Sequence, residues 1–377
     1  MKRNTLILSS MVAVALLTGC GGGGGDDTVT TTTSTVADTE LGTYSAFVPL
    51  ISNPTSFECD TVTDKAGMYA VGTSYATLEE CQSFADAWLE KYNMNDTPAT
   101  EEQRDGLAYL NTIRAGVGLP EFKYNALLET ATANHENYLG DVGDTYGVNM
   151  AHYEDNVNYP SVYYTGDTAT DRAKYVGYDG YYAGDVISYQ SNGTVTDSLN
   201  ELMSAIYHRQ ALLWNFTHEI GLGGVQRNFD FKSQPHLMGV NSDTDTFLRM
   251  VSPELVAYPY DGEQDVRVVF YGESPDPLPD LDDGTGNPIS VSFNSAFVTS
   301  VDVTSFKLYF DDNNTEVTNV RILDQDTDPN DRFSEFDYAL FPLDVLENGT
   351  TYRVELKYIQ DGESREKVWS FTTLRSM

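Results

Sequence analysis

The stretch YLNTIRAGVGLP, residues 109–120, decides the fold of this 377-residue chain. Upstream of it, Thr100 and Gln103 have the spacing of a capping box, a pair of side chains that closes the start of a helix. The apolar residues that follow recur at helical spacing and share one face: Leu107, Leu110 and Ile113. Gly116 and the turn at residues 118–120 end the pattern. The sequence therefore predicts an amphipathic helix over residues 97–116.

Helical patterns continue downstream and then give way to short apolar runs. Further helices are predicted at residues 78–92, 125–139, 170–176 and 195–213. The short runs predict strands at residues 221–225, 236–240 and 266–271. Because helices come first and strands follow, the pattern favours an α/β sandwich over a regular βαβ repeat.

Five segments in a fixed order carry a more specific resemblance. After residues 109–120 come LETATANHENY (128–138), AHYE (151–154), AIYHR (205–209) and EIGLG (219–223). This order resembles the SCP-like domain of the CAP superfamily, which we assign to residues 97–272. The resemblance implies an αβα sandwich, in which a central antiparallel sheet has helices on both sides.

The same resemblance implies a cleft with functional side chains. CAP domains place two histidines and two acidic residues at a large cleft, and some members hold a divalent metal there. The matching histidines are His152 and His208, and Asp185 stands where the family usually has a glutamate. For the second acidic residue, Glu154 and Glu201 are both candidates. No cofactor is required by the sequence, but two imidazoles and a carboxylate make zinc or a similar ion an open alternative.

The other histidines receive no chemical role. His135 is predicted to be a packing residue on its helix, and His218 and His236 border loops or strands. Arg172 and Arg209 are predicted to brace the fold through pairs with carboxylates. Neither a nucleophile-elbow pattern nor a His-Glu-x-x-His zinc motif occurs in the sequence.

The first residues indicate export. Lys2 and Arg3 precede an apolar run of signal-peptide length, so we predict a signal peptide over residues 1–19. LTGC, residues 17–20, resembles a lipobox, which implies that Cys20 carries a lipid and anchors the chain to a membrane. An ordinary signal peptide with a chance cysteine stays open. Residues 20–43, rich in glycine and threonine, are predicted to be a flexible tether.

Charge and cysteine usage restrict the partners and the compartment. The formal net charge of -35 argues against a nucleic-acid partner, because phosphate contacts need a basic surface. The acidity serves either solubility or cation binding, and the sequence leaves both open. Beside Cys20, only Cys59 and Cys81 remain, and an even pair in an exported protein predicts a disulfide. We place it in a lead-in segment over residues 44–96.

The C-terminal part has the alternation of an all-β domain. A proline-rich acidic linker is predicted at residues 273–287, and strands follow over residues 288–377, with turns at NG (348–349) and DG (361–362). NGTTYRV (348–354) and WSFTT (369–373) are similar to bacterial Ig-like domains, which implies a β-sandwich. Four acidic residues there have the spacing of a calcium loop: Asp324, Asp326, Asp328 and Glu335. Because Pro329 stands where that loop needs glycine, a solvated acidic loop is predicted instead.

Three functions remain open at this point. The first is a binding protein whose cleft takes an envelope-derived or small apolar ligand, and the absence of a recognisable nucleophile favours it. The second is a metal-assisted hydrolase at the same cleft. The third is a structural or adhesive protein that acts through its Ig-like domain. The predicted location is the bacterial cell envelope, periplasmic or at the surface; the leaflet and the oligomeric state are left open.

Overall fold

A computed structural model describes residues 42–148, 152–189, 193–223, 233–240, 244–281 and 284–375. The predicted signal peptide, Cys20 and nearly all of the predicted tether lie outside these residues. Within the described ranges, no helix has both the length and the apolar character needed to cross a membrane.

The lead-in segment is a small sheet covered by a helix. It comprises β1 (Tyr44–Pro49), β2 (Glu58–Asp60), β3 (Met68–Tyr75) and α1 (Leu78–Asn93). A disulfide joins Cys59 of β2 to Cys81 of α1, and thus ties the helix to the sheet. Thr77 and Glu80 form a capping box at the start of α1. The three strands were not predicted, because their runs are short and interrupted by turn residues.

In the described residues of the middle of the chain, the structure has six helices and four strands. The helices are α2 (Glu101–Gly116), α3 (Ala126–Tyr146), α4 (Ala169–Tyr175), α5 (Val195–Ser204), α6 (Ile206–Leu212) and α7 (Asp245–Val251). The strands are β4 (Lys123–Tyr124), β5 (Tyr182–Tyr189), β6 (Glu219–Leu222) and β7 (Ser233–Val240), in the sheet order β4-β6-β7-β5. The pairs β6–β7 and β5–β7 are antiparallel, and the two-residue β4 runs parallel to β6.

Helices cover both faces of this sheet. Since consecutive side chains of a strand point to opposite faces, Leu237 and Met238 of β7 lie on different sides. Met238 belongs to the larger apolar cluster, with Leu110 of α2 and Leu199 of α5. Leu237 packs instead with Leu128 of α3 and with α4. The α/β sandwich predicted from the sequence is confirmed.

The C-terminal part is a β-sandwich. Its strands are β8 (Leu255–Tyr258), β9 (Val269–Phe270), β10 (Thr285–Gly286), β11 (Ile289–Phe293), β12 (Val301–Phe310), β13 (Thr315–Glu316), β14 (Val320–Leu323), β15 (Asp337–Pro342), β16 (Thr351–Gln360) and β17 (Glu363–Thr372). Two four-stranded sheets, β14-β15-β11-β8 and β13-β12-β16-β17, enclose one apolar core, and β9 pairs with β10. The all-β region agrees with the predicted fold class, whereas its Ig-like assignment stays a prediction.

The two parts share a sheet across the border expected between them. Strand β8 lies within the range assigned to the SCP-like domain, yet it hydrogen-bonds to β11 of the C-terminal part. The expected linker, residues 273–287, contains β10 and the buried Leu278. The chain from residue 42 onward is accordingly one compact unit.

Candidate functional site

The first half of the site is an imidazole held by a carboxylate. Asp185 projects from β5, and its Oδ1 lies 3.0 Å from Nδ1 of His152. Its Oδ2 accepts a hydrogen bond of 2.9 Å from Arg172 of α4, which also donates to the backbone carbonyl of His152. Burial alone would raise the pKa of Asp185, but the hydrogen bond from His152 and the charges of His152, Arg172 and His135 together lower it. The carboxyl is therefore ionised and accepts a hydrogen bond from Nδ1 of His152. The second ring nitrogen, Nε2, takes no part in this contact.

A buried ionic layer lies behind this pair. Glu154, one of the two predicted candidates for the second acidic residue, is not a lining residue of the cleft: its side chain is fully buried, and its Oε1 lies 2.9 Å from Nδ1 of His135. Its Oε2 accepts from the backbone amides of Thr165 and Gly166. His135, predicted to be a packing residue, is also fully buried, with Nε2 4.0 Å from Oδ2 of Asp185. Glu154 and His135 thus support Asp185 from behind.

The second half of the site contains a residue that the sequence did not reveal. Nδ1 of His208 lies 2.6 Å from Oε2 of Glu273, whose carboxylate also accepts from the backbone amides of Tyr207 and His208. Ala205 precedes α6 and offers no side-chain cap, so Glu273 satisfies these amides from a distant part of the chain. The other predicted candidate, Glu201, accepts from Ser188 and is not among the cleft-lining residues.

The two imidazoles converge on one cleft. The ring centroids of His152 and His208 are 6.3 Å apart, and the rings are tilted by 32°. The cleft has a volume of about 580 Å³. Its aromatic lining consists of Tyr153, Tyr182, Tyr207 and Trp214. Residues from the C-terminal part complete the wall: Ser274, Pro275, Arg332 and Asp337. The volume lies within the range of small-molecule sites, and the lining combines aromatic side chains with many polar ones.

The donor set decides what kind of metal ion the cleft could hold. Both oxygens of Asp185 and the carboxylate of Glu273 already serve the histidines, Arg172 and backbone amides. No group of three or more histidine, cysteine or acidic side chains among the described residues has metal-binding geometry. Two imidazole nitrogens remain as protein ligands, whereas structural zinc takes four. The site fits only an ion that keeps several solvent ligands.

The remaining histidines lie in the apolar interior. Burial lowers the pKa of both His218 and His236 to about 3, and for His218 the positive charges of Lys123 and Arg114 add to the effect. His218 stacks on Tyr92, with ring centroids 4.4 Å apart. Nε2 of His236 lies 3.1 Å from the hydroxyl of Ser198. Both residues hold packed elements together and do not line the cleft.

The two arginines brace the fold differently. Arg172 pairs with Asp185, as predicted. Arg209 does not pair with a carboxylate: it donates to the carbonyls of Met203 and Pro288 and to the side chain of Asn287. The prediction for Arg209 was wrong, because neutral oxygens of the backbone, of an amide and of the Ser290 hydroxyl surround this buried guanidinium.

Comparisons with known proteins show a family similarity for the middle of the chain. Residues 107–232 match the model of the cysteine-rich secretory protein family, CAP. The structure is similar to an outer surface protein of Borrelia burgdorferi, at 14% identity over 40% of this chain and 100% of that one, with a TM-score of 0.31. It is also similar to venom allergen-like protein 4 of Schistosoma mansoni, at 14% identity over 38% of this chain and 92% of that one, with a TM-score of 0.25. A comparison with curated proteins gave no match. His152, Asp185 and His208 lie within the family match, and Glu273 and Arg332 lie outside it.

Proposed function

We propose that this chain is an exported binding protein; the match of residues 107–232 to the CAP family model supports this proposal. Its ligand is a small molecule with an apolar part, derived from the cell envelope, and it occupies the cleft that His152 and His208 line.

One observation carries the proposal, the convergence of two oriented imidazoles on an aromatic-lined cleft. Each ring has its Nδ1 beside a carboxylate, Asp185 for His152 and Glu273 for His208, so each ring is fixed in one orientation. Fixed polar groups set the orientation of a ligand, while aromatic side chains supply the contact area. Among the described residues, neither His152 nor His208 forms a hydrogen bond with a serine or cysteine side chain that could act as a nucleophile. This favours binding over covalent catalysis.

The test is a titration of the exported full-length protein with fractionated small-molecule extracts of a bacterial envelope. The five histidines are followed through their ring Cε1–H resonances. An active fraction should shift His152 and His208 saturably and leave His218 and His236 unchanged, because these two are buried away from the cleft.

A matched pair of variants makes the result specific. Gln210→Trp places a large ring in the cleft and should abolish the shifts. Ala108→Trp adds the same ring to an exposed position of α2 and should preserve them. The proposal fails if no fraction shifts the two histidines, or if both variants respond like the wild type.

A divalent ion in the cleft is the second candidate, and the orientation of the rings favours it. Metal-binding histidines usually bond a carboxylate through the ring nitrogen that does not bind the metal. His152 and His208 both show this arrangement, with Asp185 and Glu273. Such an ion would lower the pKa of a bound water molecule, which is the chemistry that a hydrolase at this cleft would require.

Zinc-dependent thermal stability separates the two candidates. If the ion binds at the cleft, zinc should raise the melting temperature at about pH 7.5, and the increase should become smaller as the pH is lowered, because a metal binds only unprotonated imidazole. Replacing His152 and His208 together by alanine should abolish the increase, and Asp326→Asn at an exposed position of the acidic turn should not. An increase that survives the double substitution would place the ion elsewhere.

We further propose that a lipid on Cys20 anchors the chain to a membrane of the cell envelope. The lipobox-like segment LTGC at residues 17–20 supports this proposal. Cys20→Ser should abolish incorporation of labelled fatty acid and shift the protein from the detergent phase to the aqueous phase. Labelled fatty acid on the variant would contradict the anchor.

A further inference from the structure

Arg332 reaches the cleft from a turn that is firmly fixed. The carboxylate of Asp328 accepts hydrogen bonds from the backbone amides of Asn330, Arg332 and Phe333. It also accepts from the hydroxyl of Tyr207, which belongs to α6. The expectation of a solvated acidic loop is therefore wrong for Asp328, which is only 5% exposed. This carboxylate holds the turn of Arg332 against the helix that carries His208.

A second set of contacts ties the same turn to the wall of the cleft. The side chain of Asn330 donates to the hydroxyl of Tyr207 and to the carbonyl of Asp276. Phe333 is buried, and its ring packs against that of Tyr207 at 5.9 Å. The backbone of Arg332 is thus positioned before any ligand arrives.

The guanidinium of Arg332 has no partner in the described part of the chain. No hydrogen bond or ion pair joins it to a described residue, although the sequence has 57 acidic residues against 22 basic ones. Asp337 lines the same cleft, but its two oxygens accept from Ser292 and Ser334. Asp185, the other acidic lining residue, is bonded to Arg172 and His152. Arg332 is exposed, and its guanidinium, which lines the same cleft as the two histidines, is free to bind an anion.

We propose that Arg332 is the specificity-determining residue of the cleft and that the ligand carries an oxyanion group, a carboxylate or a phosphate, which Arg332 binds. This inference rests on the proposed function and narrows its ligand. A guanidinium presents parallel N–H groups that match the two oxygens of such an anion. The apolar part of the ligand contacts the aromatic side chains of Tyr182 and Trp214, which line the same cleft.

The test compares probes that differ in charge and hardly in shape. Benzoate and its neutral analogue benzamide are titrated into the full-length protein, and the ring resonances of His152 and His208 are followed. Benzoate should bind about tenfold more tightly than benzamide, since a hydrogen bond to a charged group contributes more than a neutral one. Phenyl phosphate, in a second arm, distinguishes a preference for phosphate from one for carboxylate.

Three variants isolate the role of Arg332. Arg332→Gln should make benzoate and benzamide bind equally, and Arg332→Lys should keep part of the preference, because lysine retains the charge without the planar fork. Arg321→Gln removes an arginine that is paired with Asp280 outside the cleft, and should leave the preference intact. Equal binding of both probes to the wild type, or a preference that survives Arg332→Gln, overturns the inference. Neither result affects the envelope-extract titration, which tests the proposed function separately.

Discussion

Single residues show how far the sequence predicts the site. His152, His208 and Asp185, carried over from the family resemblance, line one cleft. Glu273 was not predicted as a site residue. It contacts His208 across 65 residues of sequence, and it lies in a segment whose composition indicates the start of a linker. A glutamate among prolines and aspartates gives no sign that a distant helix lacks a cap. Only the folded chain brings the two together.

Glu273 should therefore matter for both stability and geometry. Glu273→Gln weakens the bond to His208 and the capping of α6, so the free energy of unfolding should fall by about 1 to 3 kcal/mol. Chemical denaturation measures this loss, and the ring resonance of His208 should move while that of His218 stays. The matched control is Glu335→Gln at an exposed position, which should change neither quantity. An unchanged His208 resonance in Glu273→Gln would contradict the contact.

The buried histidines should not titrate in the usual range. Burial lowers the pKa of His218 and His236 to about 3, so both rings stay neutral while the protein is folded. Their Cε1–H resonances should then be constant between about pH 8 and about pH 5, where an ordinary imidazole protonates. A midpoint above about pH 5 for either ring would show that it is open to solvent.

Among the elements, those with strong local signals were predicted well. The capping box of Thr100 and Gln103 starts α2 at Glu101, and the DG turn at residues 361–362 joins β16 to β17 with both residues at positive φ. The single helix expected over residues 195–213 is instead divided at Ala205. Neither glycine nor proline marks the break, so no local signal predicts it. At the break, Glu273 takes up the amides that a continuous helix would have used.

Gly221 and Gly362 are required for different reasons: Gly221 for close packing, and Gly362 for its backbone conformation. In β6, a Cβ on Gly221 would lie 2.1 Å from the backbone nitrogen of Glu129, so Gly221→Ala must push α3 away from the sheet. We expect a loss of about 3 kcal/mol or more. Gly362 has φ of 86° in open space, so Gly362→Ala should cost about 1 kcal/mol. Equal losses in denaturation measurements would contradict the close contact of α3 with β6.

At the scale of the whole molecule, the chain is less modular than its sequence suggests. Composition separates an α/β part from a β-sandwich, but β8 crosses between them and Arg209 joins them. The C-terminal part contributes Ser274, Pro275, Arg332 and Asp337 to a cleft whose two histidines belong to the α/β part. A spacer or adhesive role for the C-terminal part would need none of these contacts. Such long-range pairings are beyond sequence patterns, which report local periodicity.

This coupling between the two parts predicts one cooperative unfolding transition for the compact unit that begins at residue 42. Arg209→Met leaves the carbonyls of Met203 and Pro288 without their donor, so the whole transition should move to lower temperature, with a loss of about 3 kcal/mol or more. Arg353→Gln removes ion pairs with Asp311 and Glu355 that are partly exposed to solvent. The free energy of unfolding should therefore fall by less than about 1 kcal/mol. Differential scanning calorimetry gives both values. Two separate transitions in the wild type would contradict the coupling.

The occupancy of the cleft in the full-length protein is the most direct test of a binding function. Native mass spectrometry of the full-length protein, released from its host without denaturation, should show a bound small molecule in the wild type and in Ala108→Trp. The same mass should be missing from Gln210→Trp, whose added ring fills the space beside His208. A wild-type protein free of any bound molecule, or a ligand retained equally by Gln210→Trp, would contradict the assignment of this cleft as the binding site.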